Sequence, residues 1–284
     1  MPLKLMYITN RPDVALIAEK NGVQRIMVDM EYIGKAERQH RMNTVQNHHT
    51  LEDIRNVREV LTKSELLVRV NPIHDAKPGE YTSSEEEINA VVDAGADIIM
   101  LPYFKTREEV ERFITTIGGR TQTMLLLETI QAVNILDDIM SVDGIDEVHI
   151  GLNDLSITCG YSFMFEPFAN GLVDDICHEL RKYGKPFGVG GIASLGRGLV
   201  KAELIIKDHY RLGSKAAILS RSFCNIDQFE DLAAVEEIFL RGVNEIRLLE
   251  KECKVHADYF SKNKRALDNA IGMVVNPGKG KDKA

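Results

Sequence analysis

The stretch TMLLLETIQAVNILDDIMSVDGIDEVHIGLND (123–154) decides the fold, because it contains two short apolar runs that each lead to an acidic residue. The first run, TMLLLET (123–129), includes Glu128, and the second, EVHIGLN (147–153), is followed directly by Asp154. Runs this short and this continuously apolar are typical of strands buried on both faces of a parallel sheet. The stretch therefore predicts two successive strands, β5 and β6 of the sheet, with carboxylates at their carboxyl ends.

Six further apolar runs of the same kind occupy the rest of the chain. They are LKLMYIT (3–9), RIMVDME (25–31), ELLVRVN (65–71), DIIMLPY (97–103), PFGVGGI (186–192) and AAILSRS (216–222). Amphipathic segments lie between them, and TLEDIRNVREVL begins at Thr50 with Asp53 placed for a capping box. Eight strands alternating with helices predict an α/β fold, a (β/α)8 TIM barrel with a C-terminal helical extension. An open doubly wound sheet is the alternative, but its GxGxxG fingerprint is missing after the first run.

The composition limits the classes of partner. The chain has 284 residues, 44% of them apolar, and a net charge of −8, which argues against nucleic acid and anionic membranes. No apolar run long enough for a membrane span and no secretory leader is evident, so we expect a cytoplasmic protein. The four cysteines are widely spaced, and we expect them to be reduced thiols. We expect the barrel to span residues 1–250, a helical extension residues 251–272 and a disordered tail residues 273–284.

Polar residues gather at the carboxyl ends of the predicted strands, where a (β/α)8 barrel carries its functional groups. Glu128 and Asp154 end adjacent strands, and two converging carboxylates suit a hard divalent cation, Mg²⁺ or Mn²⁺, with water and a chelating substrate completing its coordination. The alternative is that each acid caps a helix or solvates a loop. Arg69 ends the buried strand LLVRVN (66–71), where it is either a solvent-facing residue or a forked donor to an oxyanion beside the metal.

Several motifs resemble the HpcH/HpaI aldolase and citrate lyase β-subunit-like family. In chain order they are VDME, LLVRVN, AGADIIMLPYFKTREEV, LLLETIQAVNILDDI and VDGIDEVHIGLNDLSITCGY, and together they run from about residue 5 to residue 225. The resemblance implies a (β/α)8 barrel in which Glu128 and Asp154 bind Mg²⁺ or Mn²⁺. It also implies that Arg69 polarises the keto oxygen of a pyruvate-type substrate, and that backbone amides of Gly151, Leu152 and Asn153 hold the substrate carboxylate.

The sequence departs from the family pattern at the second strand. Many pyruvate aldolases of the family have a histidine after the acid of this motif, whereas this chain reads Asp29-Met30-Glu31-Tyr32. Tyr32 is a poor base at neutral pH because the ordinary pKa of tyrosine is about 10. We therefore expect Glu31 and Tyr32 to serve substrate binding and hydrogen bonding, and look for the proton carrier elsewhere.

The segment that follows, IGKAERQHRMNTVQNHH (33–49), is long for a connection between strand and helix. It carries six basic side chains: Lys35, Arg38, His40, Arg41, His48 and His49. On the functional face this segment would cover the pocket and bind an anionic or polyhydroxylated partner. His48 and His49 are candidate proton carriers, although both also fit ordinary surface positions before the helix that starts at Thr50.

Weaker candidates lie near the ends of other strands. Arg221 and Lys105 would neutralise a carboxylate or phosphate, or else form rim salt bridges, and His149 is expected in the core or at an interface. The segment GVGGIASLG (188–196) is glycine-rich at the part of a barrel where phosphate often binds.

These observations predict a divalent-metal-dependent carbon–carbon lyase or aldolase that uses a 2-oxo acid and an aldehyde, with a sugar-like or phosphorylated aldehyde preferred. An acyl-CoA lyase of the citrate or malyl type is one alternative, and a non-catalytic barrel that binds a 2-oxo acid is another. The amphipathic sequence after the eighth strand has spare apolar positions, and extensions of this kind often pack on a neighbouring subunit in the family. We therefore expect a homo-oligomer.

Overall fold

A computed structural model of the protein describes residues 1–39, 48–229, 231–253 and 258–277. Eight parallel strands close into a barrel in chain order, with the last strand hydrogen-bonded to the first. The strands are β1 Lys4–Ile8, β2 Arg25–Asp29, β3 Glu65–Arg69, β4 Ile98–Leu101, β5 Gln122–Leu127, β6 Glu147–Ile150, β7 Phe187–Ile192 and β8 Ala216–Leu219. The predicted (β/α)8 barrel is confirmed, and the doubly wound alternative is wrong because the sheet has no free edge.

Helices surround the barrel, and three of the described helices begin with a capping box. They are α1 Pro12–Lys20, α2 Lys35–Gln39, α3 Leu51–Val60, α4 Ser84–Asp93, α5 Arg107–Ile117, α6 Ile130–Asn134, α7 Leu136–Met140, α8 Leu152–Thr158, α9 Glu166–Ala169, α10 Leu172–Lys182, α11 Ala202–Leu212, α12 Leu232–Glu252 and α13 Tyr259–Val275. Thr50 and Asp53 form the predicted capping box of α3, and the other two belong to α4 and α5. Gly118 ends α5 in the left-handed conformation, with φ of 60°.

The apolar side chains form two layers because neighbouring residues of a strand point to opposite faces. Outward-facing residues pack under the helices, and the inward-facing group fills the barrel with methionine and aliphatic side chains, among them Met6, Met27, Met100 and Met124. Unbranched methionine adapts its shape to the irregular space inside a small barrel. The interior is therefore a packed core, and a ligand finds room only at its ends.

The amino-terminal end of the barrel is closed by ion pairs. The Arg25 side chain is fully buried and donates from Nε to Glu65 at 2.6 Å and from two nitrogens to Glu147 at 2.6 and 2.7 Å. Lys4 lies 3.2 Å from Glu65 and 3.9 Å from Glu147. Two cations thus balance two carboxylates, and this set of four side chains is called the basal cluster below.

Two long helices follow the barrel. The first, α12, packs on α1 and α11, and the second, α13, packs on α9 and α11, where Asn263 donates to the Leu204 carbonyl at 2.9 Å. Leu240 and Leu248 of α12 are exposed. The four cysteines are free thiols, and within the described ranges no helix is long and apolar enough to cross a bilayer. Most of the predicted tail, residues 278–284, lies outside the described residues.

Candidate active site

A cavity of about 750 Å³ opens at the carboxyl ends of the strands. Its lining includes these predicted site residues: Arg69, His49, Glu128, Gly151, Leu152, Asn153, Asp154 and Arg221. Glu31 is fully buried behind the lining, whereas Tyr32 and His48 are exposed and do not line it. The cavity thus separates the predicted residues into a group that can touch a ligand and a group that cannot.

Asp29 and Arg69 form a two-pronged ion pair at the centre of this cavity. Nε and one terminal nitrogen of Arg69 each donate to a different oxygen of Asp29 at 2.8 Å. Asp29 and Arg69 are direct partners in the register of β2 and β3, so strand pairing positions this two-pronged ion pair. Burial alone would lower the pKa of Arg69, but Asp29 and Glu31 raise it well above its usual range. Arg69 is therefore a fixed, permanently charged donor.

Glu31 is surrounded by cations that come from the following helix. Lys35 lies 3.2 Å from Glu31 and donates to Asp29 at 3.1 Å, while Arg38 pairs with the other oxygen of Glu31. Lys35 is only 4% exposed and lines the cavity. A buried lysine requires charged partners, and the two carboxylates supply them. Helix α2 therefore brings a second cation, besides Arg69, to the ligand cavity.

Glu128 and Asp154 approach each other from the segments that follow β5 and β6, and both are 3% exposed. Burial, reinforced by the negative charges of Asp154 and Glu31, raises the pKa of Glu128 well above its usual range. Glu128 accepts a hydrogen bond from the Tyr103 N–H at 3.0 Å, and Arg38 Nε lies 4.0 Å from Asp154. Among the described residues, four carboxylates face three cations in this cluster.

The prediction that Asp154 closes the sixth strand is corrected by the structure. The strand ends at Ile150, Gly151 is the N-cap, and Asp154 lies in the first turn of α8. An acidic residue in the first turn is favoured by the helix dipole, which explains why the chain turns from strand to helix before this residue.

Gly151 allows the two carboxylate-bearing segments to meet. A Cβ atom at this position would lie 2.5 Å from Oε2 of Glu128 and 2.8 Å from its Cβ. Any larger residue would push Glu128 away from α8. The glycine is therefore required by this close approach rather than by its backbone angles, since its φ of −88° is accessible to every residue.

This donor set fits a hard divalent cation better than zinc. Within the described ranges, no group of three or more His, Cys, Asp or Glu side chains is arranged to hold a metal. Mg²⁺ and Mn²⁺ often use one or two carboxylates and fill their remaining positions with water and substrate. Burial and then the charge of Asp154 raise the pKa of Glu128, and a cation beside the two carboxylates would offset that charge.

Tyr103 supports the cluster through a backbone conformation that no sequence pattern predicted. It has φ of +49°, which is uncommon for a residue with a side chain. This conformation directs its N–H to Glu128, and the Arg38 guanidinium stacks on its ring at 3.9 Å from the centroid. Backbone strain of this kind is often found at functional sites.

The basic side chains of the segment after β2 differ in their position relative to the cavity. His49 lines the cavity, and its Nδ1 accepts a hydrogen bond from the Asp29 N–H at 3.0 Å. Because Nδ1 is an acceptor, the hydrogen of neutral His49 resides on Nε2. Burial lowers the pKa of His49, which favours this neutral form. His40 and Arg41, which were expected to contact the substrate, lie outside the described residues.

His149 belongs to the barrel core, as expected, and also borders the base of the cavity. Its Nε2 lies 3.1 Å from the Gly190 carbonyl, and burial lowers its pKa to about 4. A Cβ on Gly188 would lie 2.3 Å from Nδ1 of His149, so this glycine makes room for the ring. His149 is therefore neutral at physiological pH and supports the base of the cavity from below.

The outer part of the cavity is more apolar. Phe163, Met164 and Phe165, which follow α8, form part of one wall, and Leu199 forms part of the wall after β7. Arg221 stands at the rim after β8 and is exposed. Lys105 is also exposed and lies against the Tyr103 ring at 4.9 Å, outside the cavity lining.

The structure is a (β/α)8 barrel with a carboxylate–arginine cluster at the carboxyl ends of its strands, and comparison with known proteins shows its family. The chain matches the family model for HpcH/HpaI aldolase/citrate lyase over residues 4–189 and belongs to that family. The predicted resemblance is thereby confirmed.

Two curated relatives are similar over part of their length. A hydroxypyruvate/pyruvate aldolase of Sagittula stellata is 27% identical, over 41% of this chain and 57% of the relative, so little more than half of it is matched. A 2-keto-3-deoxy-L-rhamnonate aldolase of Escherichia coli strain K12 is 23% identical over 63% of this chain and 71% of the relative. The crystal structure of an HpcH/HpaI aldolase from Desulfitobacterium hafniense has a TM-score of 0.58 at 16% identity, covering 87% of this chain and 93% of that one. That likeness supports the shared fold.

Proposed function

We propose that the protein is a divalent-metal-dependent aldolase that joins a pyruvate-type 2-oxo acid to an aldehyde, or cleaves the corresponding product. The observation that carries this proposal is the meeting of Glu128, Asp154 and Arg69 in one cavity at the carboxyl ends of the strands. Family membership and the names of both aldolase relatives support the same chemistry.

In this proposal Glu128 and Asp154 hold Mg²⁺ or Mn²⁺. The bound cation would act as a Lewis acid towards the keto and carboxylate oxygens of the 2-oxo acid. Arg69, held by Asp29, would donate to the keto oxygen as it gains negative charge on enolate formation. Because Asp29 fixes the guanidinium before the substrate arrives, the donor does not have to be reoriented during the reaction.

The amino-terminal end of α8 would bind the substrate carboxylate. The first intrahelical hydrogen bond of this helix runs from the Leu155 N–H to the Gly151 carbonyl. The N–H groups of Leu152, Asn153 and Asp154 precede it and are not used within the helix. Gly151 and Leu152 line the cavity beside Glu128, so a carboxylate held there would lie next to the proposed cation.

We assign proton transfer to Lys35 instead of Tyr32 or His48, since neither of the latter lines the cavity. Within its ion pair with Glu31, the Lys35 ammonium would first pass a proton to that carboxylate, and the resulting amine would take a proton from the methyl carbon as the enolate forms. Lys35 would then give a proton to the aldehyde oxygen as the carbon–carbon bond forms, and Glu31 would return its proton, which restores the ion pair. His49 would donate a hydrogen bond from Nε2, because its Nδ1 is occupied by the Asp29 N–H.

Hydrogen–deuterium exchange at the methyl group of pyruvate tests this function. In D₂O with Mg²⁺ or Mn²⁺, the pyruvate methyl signal in proton NMR should decay with enzyme present, and chelation of the metal should stop the decay. Lys35→Met should slow the exchange at least tenfold, while Tyr32→Phe should leave it within about twofold. Absence of exchange in the wild-type protein with either metal would overturn the enolate mechanism.

A further inference from the structure

A second cavity, of about 790 Å³, lies beside the proposed active site. Three parts of the chain enclose it: the segment after β7, the segment after β8 and one face of α12. The two cavities share five lining residues, which are Gly198, Arg221, Ser222, Cys224 and Asn225. The two cavities therefore adjoin along these five residues.

The lining of this second cavity is positively charged in a chain whose net charge is −8. Arg197, Arg221 and Arg241 contribute guanidinium groups, and Glu245 is the single acidic side chain in the described lining. Glu245 lies 4.0 Å from Nε of Arg241, which is a loose contact. In the described part of the chain, the Arg197 side chain forms no ion pair. Among the described lining residues arginine outnumbers acidic side chains, and guanidinium groups favour an anionic ligand.

Glycine residues shape two sides of this cavity. Gly242 of α12 packs against Phe223, where an added Cβ would lie 2.6 Å from the ring. This contact brings the helix, and with it Arg241, onto the segment after β8. On the opposite side, Gly196 and Gly198 have φ of 76° and 94° and carry no side chain into the space around Arg197.

The position within the fold points to phosphate in particular. The segments after the seventh and eighth strands of (β/α)8 barrels recur as phosphate-binding sites. Arginine also pairs with phosphate through two parallel hydrogen bonds, so three guanidinium groups suit a dianion better than a single carboxylate. Ser222 adds a hydroxyl group to the lining, whereas the Ser194 hydroxyl already donates to the Phe223 carbonyl at 3.0 Å.

We propose that the second cavity binds the terminal phosphate group of the acceptor aldehyde, with Arg197, Arg221 and Arg241 as its cationic partners. This inference rests on the proposed aldolase function for the identity of the ligand, and it deepens that function by naming a phosphorylated aldehyde as the acceptor class. The 2-oxo acid would occupy the metal end of the first cavity, and the acceptor would run from there past Arg221.

Direct binding of inorganic phosphate to the full-length protein tests the site without using activity. Calorimetry should show binding of phosphate to the wild-type protein, and the double variant Arg197→Ala/Arg241→Ala should weaken it at least tenfold. The control Arg55→Ala/Arg265→Ala removes two exposed helical arginines away from the cavity and should change the affinity by less than twofold. No phosphate binding, or equal losses in both double variants, would overturn the proposal. Acetate binding as tight as phosphate binding would overturn the assignment to phosphate.

Steady-state kinetics then connects the site to the acceptor. With pyruvate as donor, Arg197→Ala/Arg241→Ala should raise KM for glyceraldehyde 3-phosphate at least tenfold and leave KM for glyceraldehyde within about twofold. Equal KM changes for both aldehydes would contradict the proposal. Pyruvate deuterium exchange needs no acceptor, so failure of the aldolase function would show as absent exchange while phosphate still binds. Failure of the phosphate site alone would leave exchange intact in the wild-type protein.

Discussion

Both ends of the barrel carry clusters of ion-paired side chains, but the charge balance of the described residues differs between the two ends. In the basal cluster, the two positive charges of Lys4 and Arg25 equal the two negative charges of Glu65 and Glu147. Burial alone would raise the pKa of Glu65, but the ion pair with Arg25 lowers it. At the carboxyl ends of the strands the carboxylates outnumber the cations among the described residues, and burial together with the charges of Asp154 and Glu31 raises the pKa of Glu128. The described charges of the basal end match one another, whereas a cation bound at the other end would lie among additional carboxylates. We expect the first arrangement to serve stability, and the proposed function assigns ligand binding to the second.

Removing the central cation of the basal cluster should produce the largest effect. Arg25→Met leaves Glu65 and Glu147 facing each other inside the barrel, and breaking a buried pair costs about 3–5 kcal/mol. Urea unfolding should show that loss in the free energy of unfolding. Lys4→Met is the control, because Lys4 is partly exposed and should cost less than about 1 kcal/mol. Similar small losses in both variants would show that the basal cluster does not stabilise the barrel.

The equivalent change at the catalytic end should act mainly on rate. Arg69→Met removes the proposed donor to the keto oxygen, and loss of one such donor lowers kcat about 100- to 1000-fold. Arg69→Lys keeps the charge but loses the fork to Asp29, and it should recover only part of the rate. Rates of pyruvate deuterium exchange measure this directly. Exchange at the wild-type rate in Arg69→Met would remove Arg69 from the mechanism.

The raised pKa of Glu128 predicts a pH dependence of stability in the metal-free protein. A carboxyl group with a higher pKa in the folded state binds its proton more tightly when folded, so stability is greatest at low pH. This contribution is lost as the pH rises from the ordinary carboxyl range through the folded pKa. Glu128→Gln should therefore have a higher Tm than wild type at pH 8, with the difference shrinking towards pH 4. Glu65→Gln should show the opposite trend, because the pKa of Glu65 is lowered.

A single added methyl group should test the close approach of the two carboxylate-bearing segments. Gly151→Ala places Cβ against Oε2 of Glu128 and should weaken Mn²⁺ binding about tenfold by displacing that carboxylate. Gly160→Ala is a matched control for glycine replacement after α8, since no atom lies within 4 Å of its added Cβ. Gly160 has φ of 74°, so some loss of Tm is expected there without a change in affinity. Equal Mn²⁺ affinity in wild type and Gly151→Ala would contradict the assigned role of Gly151.

The fold could be predicted from the sequence because every strand of a closed parallel barrel is buried on both faces and therefore reads as an apolar run. Arg69, Glu128 and Asp154 could be found for a related reason, since a charged residue that ends such a run lies on the functional face. Asp154 was nevertheless placed in the strand, because the run of apolar residues does not show where the backbone turns into α8.

Other parts of the site depend on contacts that the sequence does not reveal. Lys35 was recognised only as one of several cations in its segment, and its place between Asp29 and Glu31 depends on the short helix α2. The conformation of Tyr103 depends on its N–H contact with Glu128, which is 25 residues away. The pair formed by Arg25 and Glu147 depends on closure of the barrel, since 122 residues separate them. Local sequence patterns do not reveal polar contacts that form only when the barrel closes.

Binding of Mn²⁺, followed by electron paramagnetic resonance, tests the central claim most directly. The wild-type protein should bind the ion, Asp154→Asn should weaken binding at least tenfold at unchanged Tm, and Glu65→Gln in the basal cluster should bind like wild type. Equal Mn²⁺ affinity in the wild-type protein and Asp154→Asn, or no binding at all, would contradict the account.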